Sequence, residues 1–274
     1  VATPIGHLED LSPRARRVLG EATLIAAEDT RVTQKLLAHC GIATRAWSLH
    51  AHNEIARSAG IVERIARGEC VALVSDAGTP AVSDPGAALV RAVRAAGLPV
   101  VPVPGPSAVT AILSASGLPA DRFHFAGFLP ARAAERRRAL EALRALDCTI
   151  VLYEAPHRVV ACADQLAEVL GAERPVVVGR ELTKCFEQIH ATTLGALPGW
   201  LRADPDRQRG EFAVAIGAPP VAAPAGEAEI RRVLHALLEL LPPSDAARAA
   251  AAICGAKRGD VYRIALSLRA GGGA

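Results

Sequence analysis

Apolar and polar positions follow two alternating rhythms along the chain. Short runs of aliphatic and β-branched residues occur at Val1–Thr3, Thr23–Ala27, Ala46–Leu49, Val71–Ser75 and Val100–Val103. Between them lie stretches whose apolar positions recur at helical spacing, Arg14–Glu21, Thr33–Cys40, Ile55–Arg67 and Ala87–Ala96. This alternation predicts βαβ units, and strands so nearly apolar throughout require helices on both faces of a parallel sheet. A further helix is predicted from Ser107, and the small-residue stretch Leu113–Asp121 marks a boundary, giving an N-terminal α/β domain over residues 1–116. The next strands are predicted at Phe123–Phe128, Thr149–Tyr153, Val176–Gly179, Phe186–Ala191 and Phe212–Ile216, with helices at Ala133–Leu146 and Val159–Leu170. Too few residues separate Gly179 from Phe186 for a crossover helix, so a hairpin is expected and the sheet of this second α/β domain, residues 117–217, is mixed.

After Ile216 the stretch "GAPPVAAPAGEAE" reads as a linker, residues 218–227. Three helical segments follow, Ile230–Leu241, Asp245–Cys254 and Lys257–Leu268, broken by Pro242-Pro243 and by Gly255. They predict a three-helix tail over 228–270. The Gly-containing turn and the Lys257-Arg258 pair suit a helix-turn-helix-like element, and a plain helical appendage or dimerisation element fits equally.

Composition narrows the function classes. A chain of 274 residues that is 51% hydrophobic and 22% charged is long and apolar enough to bury a large core. No apolar run approaches the ~18 residues that cross a bilayer. The chain therefore reads as cytoplasmic, with a few starting residues expected before Val1. Six cysteines without any C-x-x-C pair predict reduced thiols, with neither a disulfide framework nor a zinc site. A net charge of +3 permits a polyanionic partner only if the positive charge is clustered. No P-loop, no G-x-G-x-x-G after the first strand and no G-x-S-x-G elbow is present, which disfavours nucleotide hydrolases, the usual dinucleotide site and α/β-hydrolases.

Candidate chemistry gathers where the predicted parallel strands end, at Thr3–Gly6, Glu28–Arg31, His50–Glu54, Ser75–Pro80 and Pro104–Ser107. The carboxyl ends of parallel strands share one edge, and ligands bind in the crevice there, so five loops distant in sequence are expected to converge. His50, His52 and Glu54 alternate. On an extended backbone they would share a side, as metal ligands, as a polar substrate-facing loop or as a simple turn; no metal is expected. Arg132 and Arg136–Arg138 open a helix, either as its solvated face or as phosphate ligands at a cleft mouth.

Read together, "VATPIGHLEDLSPRA", "LIAAEDTR", "LHAHNE", "LVSDAGTPAVSDPG", "VPGPSAVTAILSASGLP", "FAGFLP", "LYEAPHR" and "RELTKCFEQIH" resemble the tetrapyrrole-methylase-like (class III) S-adenosylmethionine-dependent methyltransferases. Within these they are most similar to the branch that methylates a cytidine 2′-hydroxyl in the decoding region of 16S rRNA. Mild departures occur at His7, where that branch commonly has Asn, and in "YEAPHR". The resemblance implies two α/β domains with S-adenosylmethionine between them, a helix-turn-helix-like extension, a homodimer, and the 30S ribosomal subunit as partner. Carried over by position, the cofactor residues are Ile5, Asp76, Ala77, Gly78, Thr79, Ser107, Ala108, Tyr153, Leu182 and Ala213.

A 2′-hydroxyl needs a base or a cation that favours the alkoxide. Lys184 is the leading candidate, then Asp29, with Glu181 and Glu154 nearby in the motifs. RNA contacts are expected at Arg31, His52, Asn53, Arg132, Arg137, Arg158, Lys257 and Arg258. With aromatic residues at only 3% of the chain, phosphate contacts and shape should dominate over base stacking. Two other readings stay open: a class III enzyme acting on a tetrapyrrole or a diphthamide precursor, and a non-catalytic RNA-binding assembly factor that retains the pocket.

Overall fold

Three of the predicted strands, β1 (Leu24–Ala27), β2 (Ala46–Ser48) and β3 (Val71–Val74), build a parallel sheet in the order β2-β1-β3. This is a computed structural model describing residues 1–219 and 226–271. The register pairs Ala27 with both Ser48 and Val74, so the chain leaves all three strands side by side. Alternate residues of β1 face opposite layers, as period-2 geometry requires. Ile25 and Ala27 pack with Leu19 of α1 (Pro13–Glu21) and Leu37 of α2 (Thr30–Cys40). Ala26 packs with Ile61 of α3 (Glu54–Ala66) and with Leu89 and Val93 of α4 (Ala87–Ala95). The double cover expected of apolar strands is thereby met.

Val1–Thr3 and Val100–Val103, predicted as strands, are not assigned to the sheet. The Ala2 N–H donates to the Val103 carbonyl, and Thr3 exchanges both backbone hydrogen bonds with Gly78. Pro4, Pro99, Pro102 and Pro104 remove the N–H donors that a continuous ladder needs. Helix α2 also begins earlier than its apolar spacing suggests, because Asp29 is its N-cap and accepts the Arg31 N–H at 2.8 Å.

The second sheet is mixed. Its strands β4 (Phe123–Phe128), β5 (Thr149–Glu154), β6 (Pro175–Arg180), β7 (Gln188–Thr193) and β8 (Phe212–Ile216) lie in the order β4-β5-β8-β6-β7. Only β4 and β5 run parallel; β6 and β7 form the expected hairpin, with Phe186 in its loop instead of its strand. One face, including Ile150, Leu152, Val176, Val178 and Val214, packs under α6 (Ala133–Leu143), α7 (Val159–Leu170) and α8 (Leu197–Arg202). The other face carries Val151, Val177, Ala213 and Ala215. It is covered by Val109, Ile112 and Leu113 of α5 (Ala108–Ser116), a helix that the sequence assigns to the preceding domain. Both sheets fall in one compact unit, Val1–Pro219.

A second unit holds α9 (Glu227–Leu238), α10 (Pro243–Cys254) and α11 (Arg258–Gly271) around Ile230, Leu234, Val261 and Ala265. Fully burying a side chain such as Leu234 stabilises by about 1.5–3 kcal/mol. Ala246, Ala247 and Ala250 on α10 are completely buried, and such small residues leave room for neighbouring helices to come close. Gly255, left-handed at φ +63°, ends α10 where a Cβ would be strained.

Candidate functional site

The edge where β1 and β3 end carries a dense hydrogen-bonded cluster. Asp76 Oδ1 accepts the Asp29 N–H at 2.9 Å, and the Asp76 N–H donates to Glu28 Oε2 at 3.4 Å. Beyond it, Gly78 bridges to Thr3, and Thr79 Oγ1 donates to the Pro106 carbonyl at 3.2 Å, so the first, fourth and fifth of the predicted loops are tied together. Gly78 has φ +76°, and a Cβ there would lie 3.5 Å from the Ile5 side chain. Space is sufficient but the backbone conformation is wrong for an L side chain. Gly78→Val is therefore expected to weaken cofactor binding through displacement of this turn, read by calorimetry against the melting temperature of the same variant.

The loop continues through Ala81 and Ser83, both non-glycine residues at φ +67°. Such conformations persist only where the surroundings over-determine them. Here the anchor is Glu54, buried at 8% exposure. Its Oε1 accepts backbone N–H groups from Gly86 at 3.1 Å, Ala88 at 2.7 Å and Leu89 at 2.9 Å, capping α4. His50, His52 and Glu54 thus do not line up as ligands. Residues 51–53 turn, Asn53 Oδ1 accepts the His50 N–H, and Glu54 points inward as the first residue of α3. Among the described residues no group of three or more His, Cys, Asp or Glu side chains suits a metal ion.

A cavity of about 400 Å³ opens between this edge and the second sheet. The register pairs Phe128 with Tyr153, and Tyr153 with Ala213, so the antiparallel β8 presents its first residues beside the end of β5 and all three reach the cavity. Of the predicted cofactor residues, Ile5, Ala77, Gly78, Thr79, Ser107, Ala108, Tyr153, Leu182 and Ala213 line it. Asp76 does not; its carboxylate is turned to Asp29. The sequence reading did not single out Val82, Ser83, Asp84, Phe128, Glu211 and Phe212, which also line the cavity. The repeated loop residues of "AVSDPG" were the available signal for Asp84.

Electrostatics sets these carboxylates apart. Burial, then the charges of Glu28 and Asp76, raise Asp84 to about 6. Burial chiefly raises Glu28 as well, and burial with the Asp84 charge raises Tyr153. Asp29 goes the other way, to about 2, because the Arg31 guanidinium and backbone N–H bond it. A carboxylate so acidic is a poor base at neutral pH.

Lys184 lies just outside the cavity on the β6–β7 loop. Its Nζ donates to Glu181 Oε1 and to Glu211 Oε2, both at 2.9 Å. Burial lowers the Lys184 pKa, but the hydrogen bonds and charges of the two glutamates outweigh it and hold the ammonium above its ordinary value. Burial likewise pushes Glu181 up, yet its bonds from Lys184 and the Glu211 N–H bring it down. The trio holds one ammonium in a fixed position between two carboxylates, and Lys184 is protonated, which removes it as a base.

The predicted RNA contacts scatter. Arg31, Arg132 and Arg137 are exposed and paired with Asp29, Glu135 and Glu168 respectively. His52 is exposed on its turn, whereas Asn53 is committed to His50 and Ser48. Arg158 is mostly buried and donates to Glu154 at 2.6 Å and to the Leu129 carbonyl, a strut beneath the cavity wall. Arg136 is also buried, bonded to Gln165 and the Ala131 carbonyl, which removes it from the exposed arginine run. Lys257 and Arg258 are exposed at the start of α11.

Residues 1–198 match the family described as tetrapyrrole (corrin/porphyrin) methylases, and residues 224–269 match the RsmI C-terminal HTH domain. Ribosomal RNA small subunit methyltransferase I of Pseudomonas aeruginosa is 49% identical over 270 residues, spanning 97% of this chain and 95% of the relative. Its counterpart in Xylella fastidiosa is 50% identical over 262 residues, spanning 96% of each. A crystal structure of diphthine synthase shares the fold at TM-score 0.62 and 18% identity, covering 79% of this chain and 88% of that one.

Proposed function

The chain belongs to the ribosomal RNA small subunit methyltransferase I family within the tetrapyrrole methylases, and on that premise we propose that it carries the methyl group of S-adenosylmethionine to the ribose 2′-hydroxyl of a cytidine in the decoding region of 16S rRNA. The observation that supports this most is the convergence of nine cofactor candidates, from six separate segments of the chain, on one cavity. Its volume of about 400 Å³ lies within the range of small-molecule sites. Apolar walls at Ile5, Ala108 and Leu182 suit an adenine ring, and small residues at Ala77–Thr79 allow backbone to approach the methionine end. Asp84 supplies the negative charge that a cationic cofactor calls for.

When bound, the cofactor would supply an electrophilic methyl carbon; the acceptor oxygen would bond to it as the carbon–sulfur bond breaks with its electron pair left on sulfur, and the hydroxyl proton would pass to solvent. The chain's own contribution is placement and charge. Lys184, fixed by Glu181 and Glu211 at the cavity margin, is the cation for the developing alkoxide, and orientation supplies much of the remaining rate. Lys184→Met is expected to lower kcat about 10- to 100-fold while S-adenosylmethionine affinity stays within about twofold. Single-turnover transfer and calorimetry on the same preparation check both halves.

Arg31, His52, Arg132 and Arg137 would meet the RNA backbone, with Lys257 and Arg258 of the helix-turn-helix unit as a second contact. The assembled 30S subunit is the substrate in this reading, and the protein works as a cytoplasmic homodimer. The experiment is tritiated methyl transfer to 30S subunits lacking the modification, followed by mapping of the labelled nucleotide. Label on one cytidine ribose is expected. Label on a base, or on a tetrapyrrole offered in competition, would overturn the assignment.

A further inference from the structure

Phe128 lines the cofactor cavity and is also 54% exposed, so its ring stands where the cavity meets solvent. Of the exposed phenylalanines, Phe123, Phe128 and Phe186, it alone lines the cavity. A single exposed apolar side chain is ordinary on a protein surface. What sets Phe128 apart is how the backbone delivers it.

Side chains alternate along a strand, so Phe125 and Phe128, three positions apart, should face opposite sides of the sheet. They do not. Phe125 pairs with Val151, Gly127 with Leu152 and Phe128 with Tyr153, so Ala126 is an extra residue in β4. The extra residue resets the alternation and brings Phe128 onto the face of Phe125, Val151 and Tyr153, as bulges beside functional sites do. Gly127 makes this possible: its φ is +64°, and a Cβ there would stand 3.2 Å from Ser83 Oγ on the strained cavity loop. Tyr153 lies between the two phenylalanines, its ring centroid 5.0 Å from that of Phe125 and 5.5 Å from that of Phe128, with planes inclined at 67° and 61°. Such edge-to-face packing steadies the Phe128 ring on one side and leaves the rest of it open.

The apolar wall that suits an adenine, Ile5, Ala108 and Leu182, belongs to the core packed on the second sheet, so it forms the closed end of the cavity. Phe128 marks the open end, which is left to the acceptor. A flat, rigid ring there suits a nucleobase, because a base taken out of its own stack regains stacking on an aromatic face. A base held at the mouth carries its ribose with it, on the side from which a hydroxyl must reach the methyl group. We propose that Phe128 is the stacking platform for the base of the nucleotide being methylated, set at the cavity mouth by the bulge at Ala126 and Gly127. The proposal rests on the RNA substrate proposed above and adds to it the residue that seats the acceptor.

The test uses the full chain with two variants, Phe128→Leu, which keeps an apolar side chain but removes the flat face, and Phe128→Tyr, which restores it. The side chain is more than half exposed, so both should fold, with melting temperatures close to that of the wild type. KM for 30S subunits is expected to rise about tenfold in Phe128→Leu and to stay within about twofold of wild type in Phe128→Tyr, with S-adenosylmethionine Kd within about twofold in both. Filter binding of 30S subunits without cofactor should follow the same order. A wild-type KM in Phe128→Leu, a Phe128→Tyr variant no better than Phe128→Leu, or an equal loss of cofactor affinity overturns the platform. If the wild-type chain binds 30S subunits but transfers no methyl, the methyltransferase reading fails and the binding series still decides Phe128. A wild-type chain that does not bind 30S subunits overturns both.

Discussion

Asp84→Asn is expected to weaken S-adenosylmethionine binding about tenfold at pH 7.5 and, in the same protein, to raise the melting temperature. The two effects share one cause. Asp84 titrates at about 6 against an ordinary 3.8, so ionising it in the folded chain is unfavourable. The stability it contributes is intact below pH 3.8 and is lost as pH rises through about 6. After discounting for solvent around a half-buried group, that loss is about 1–2 kcal/mol. Asparagine does not ionise, so the variant keeps this stability at neutral pH, and the two proteins should converge below pH 4. Binding has the opposite sign. The ionised carboxylate attracts a sulfonium and an ammonium, and a tenfold change corresponds to about 1.4 kcal/mol. Wild-type affinity should therefore fall as pH drops from 7.5 to 5.5 while that of Asp84→Asn stays flat. Calorimetric titrations across that range, with thermal melts at each pH, check the pair of effects; a pH-independent wild-type Kd would separate Asp84 from the cofactor.

Glu54→Ala is the substitution with the larger effect on folding. It leaves the N–H groups of Gly86, Ala88 and Leu89 without their side-chain acceptor at the N-terminus of α4. Losing a buried charge-assisted acceptor costs about 2–4 kcal/mol, readable as a shift of the urea midpoint. The loop just before Gly86 carries Val82, Ser83 and Asp84 of the cavity wall, with Ala81 and Ser83 held in strained conformations. Loss of the anchor should let those residues relax, so cofactor affinity falls as well. Glu54→Gln keeps one neutral oxygen as acceptor and is expected to recover most of the stability. Equal destabilisation by Gln and Ala would mean that the negative charge, not the hydrogen-bond geometry, carries the anchoring.

Much of this was legible from residue pattern. The apolar runs at Thr23–Ala27, Ala46–Leu49 and Val71–Ser75 correspond to β1, β2 and β3, and the short spacing after Gly179 correctly implied a hairpin. The runs at Val1–Thr3 and Val100–Val103 misled because hydrophobicity marks burial but says nothing of donors, and the prolines around them remove donors. Of the three readings open for the His50, His52, Glu54 alternation, the turn is the one observed: ligand spacing presumes an extended backbone, and the Asn53 side chain closes a turn there. Arg158 was expected at the RNA, and Arg136 either on a solvated helix face or at phosphates, whereas burial commits them to Glu154 and Gln165.

The chain alone determined where most of its strands and helices form, which loops carry turn and cap chemistry, and the family those loops resemble, since these depend on near neighbours and on side-chain type. Tertiary structure alone decided which loops share a cavity, because the Ala27–Val74 register and the Tyr153–Ala213 pairing join segments far apart in sequence. It also decided the chemistry of each carboxylate. Asp29 at about 2 and Asp84 at about 6 are the same residue type, separated by an arginine beside one and by burial among like charges around the other. The Arg31 contribution is local to Asp29, whereas the burial and like charges that act on Asp84 are properties of the assembled surroundings.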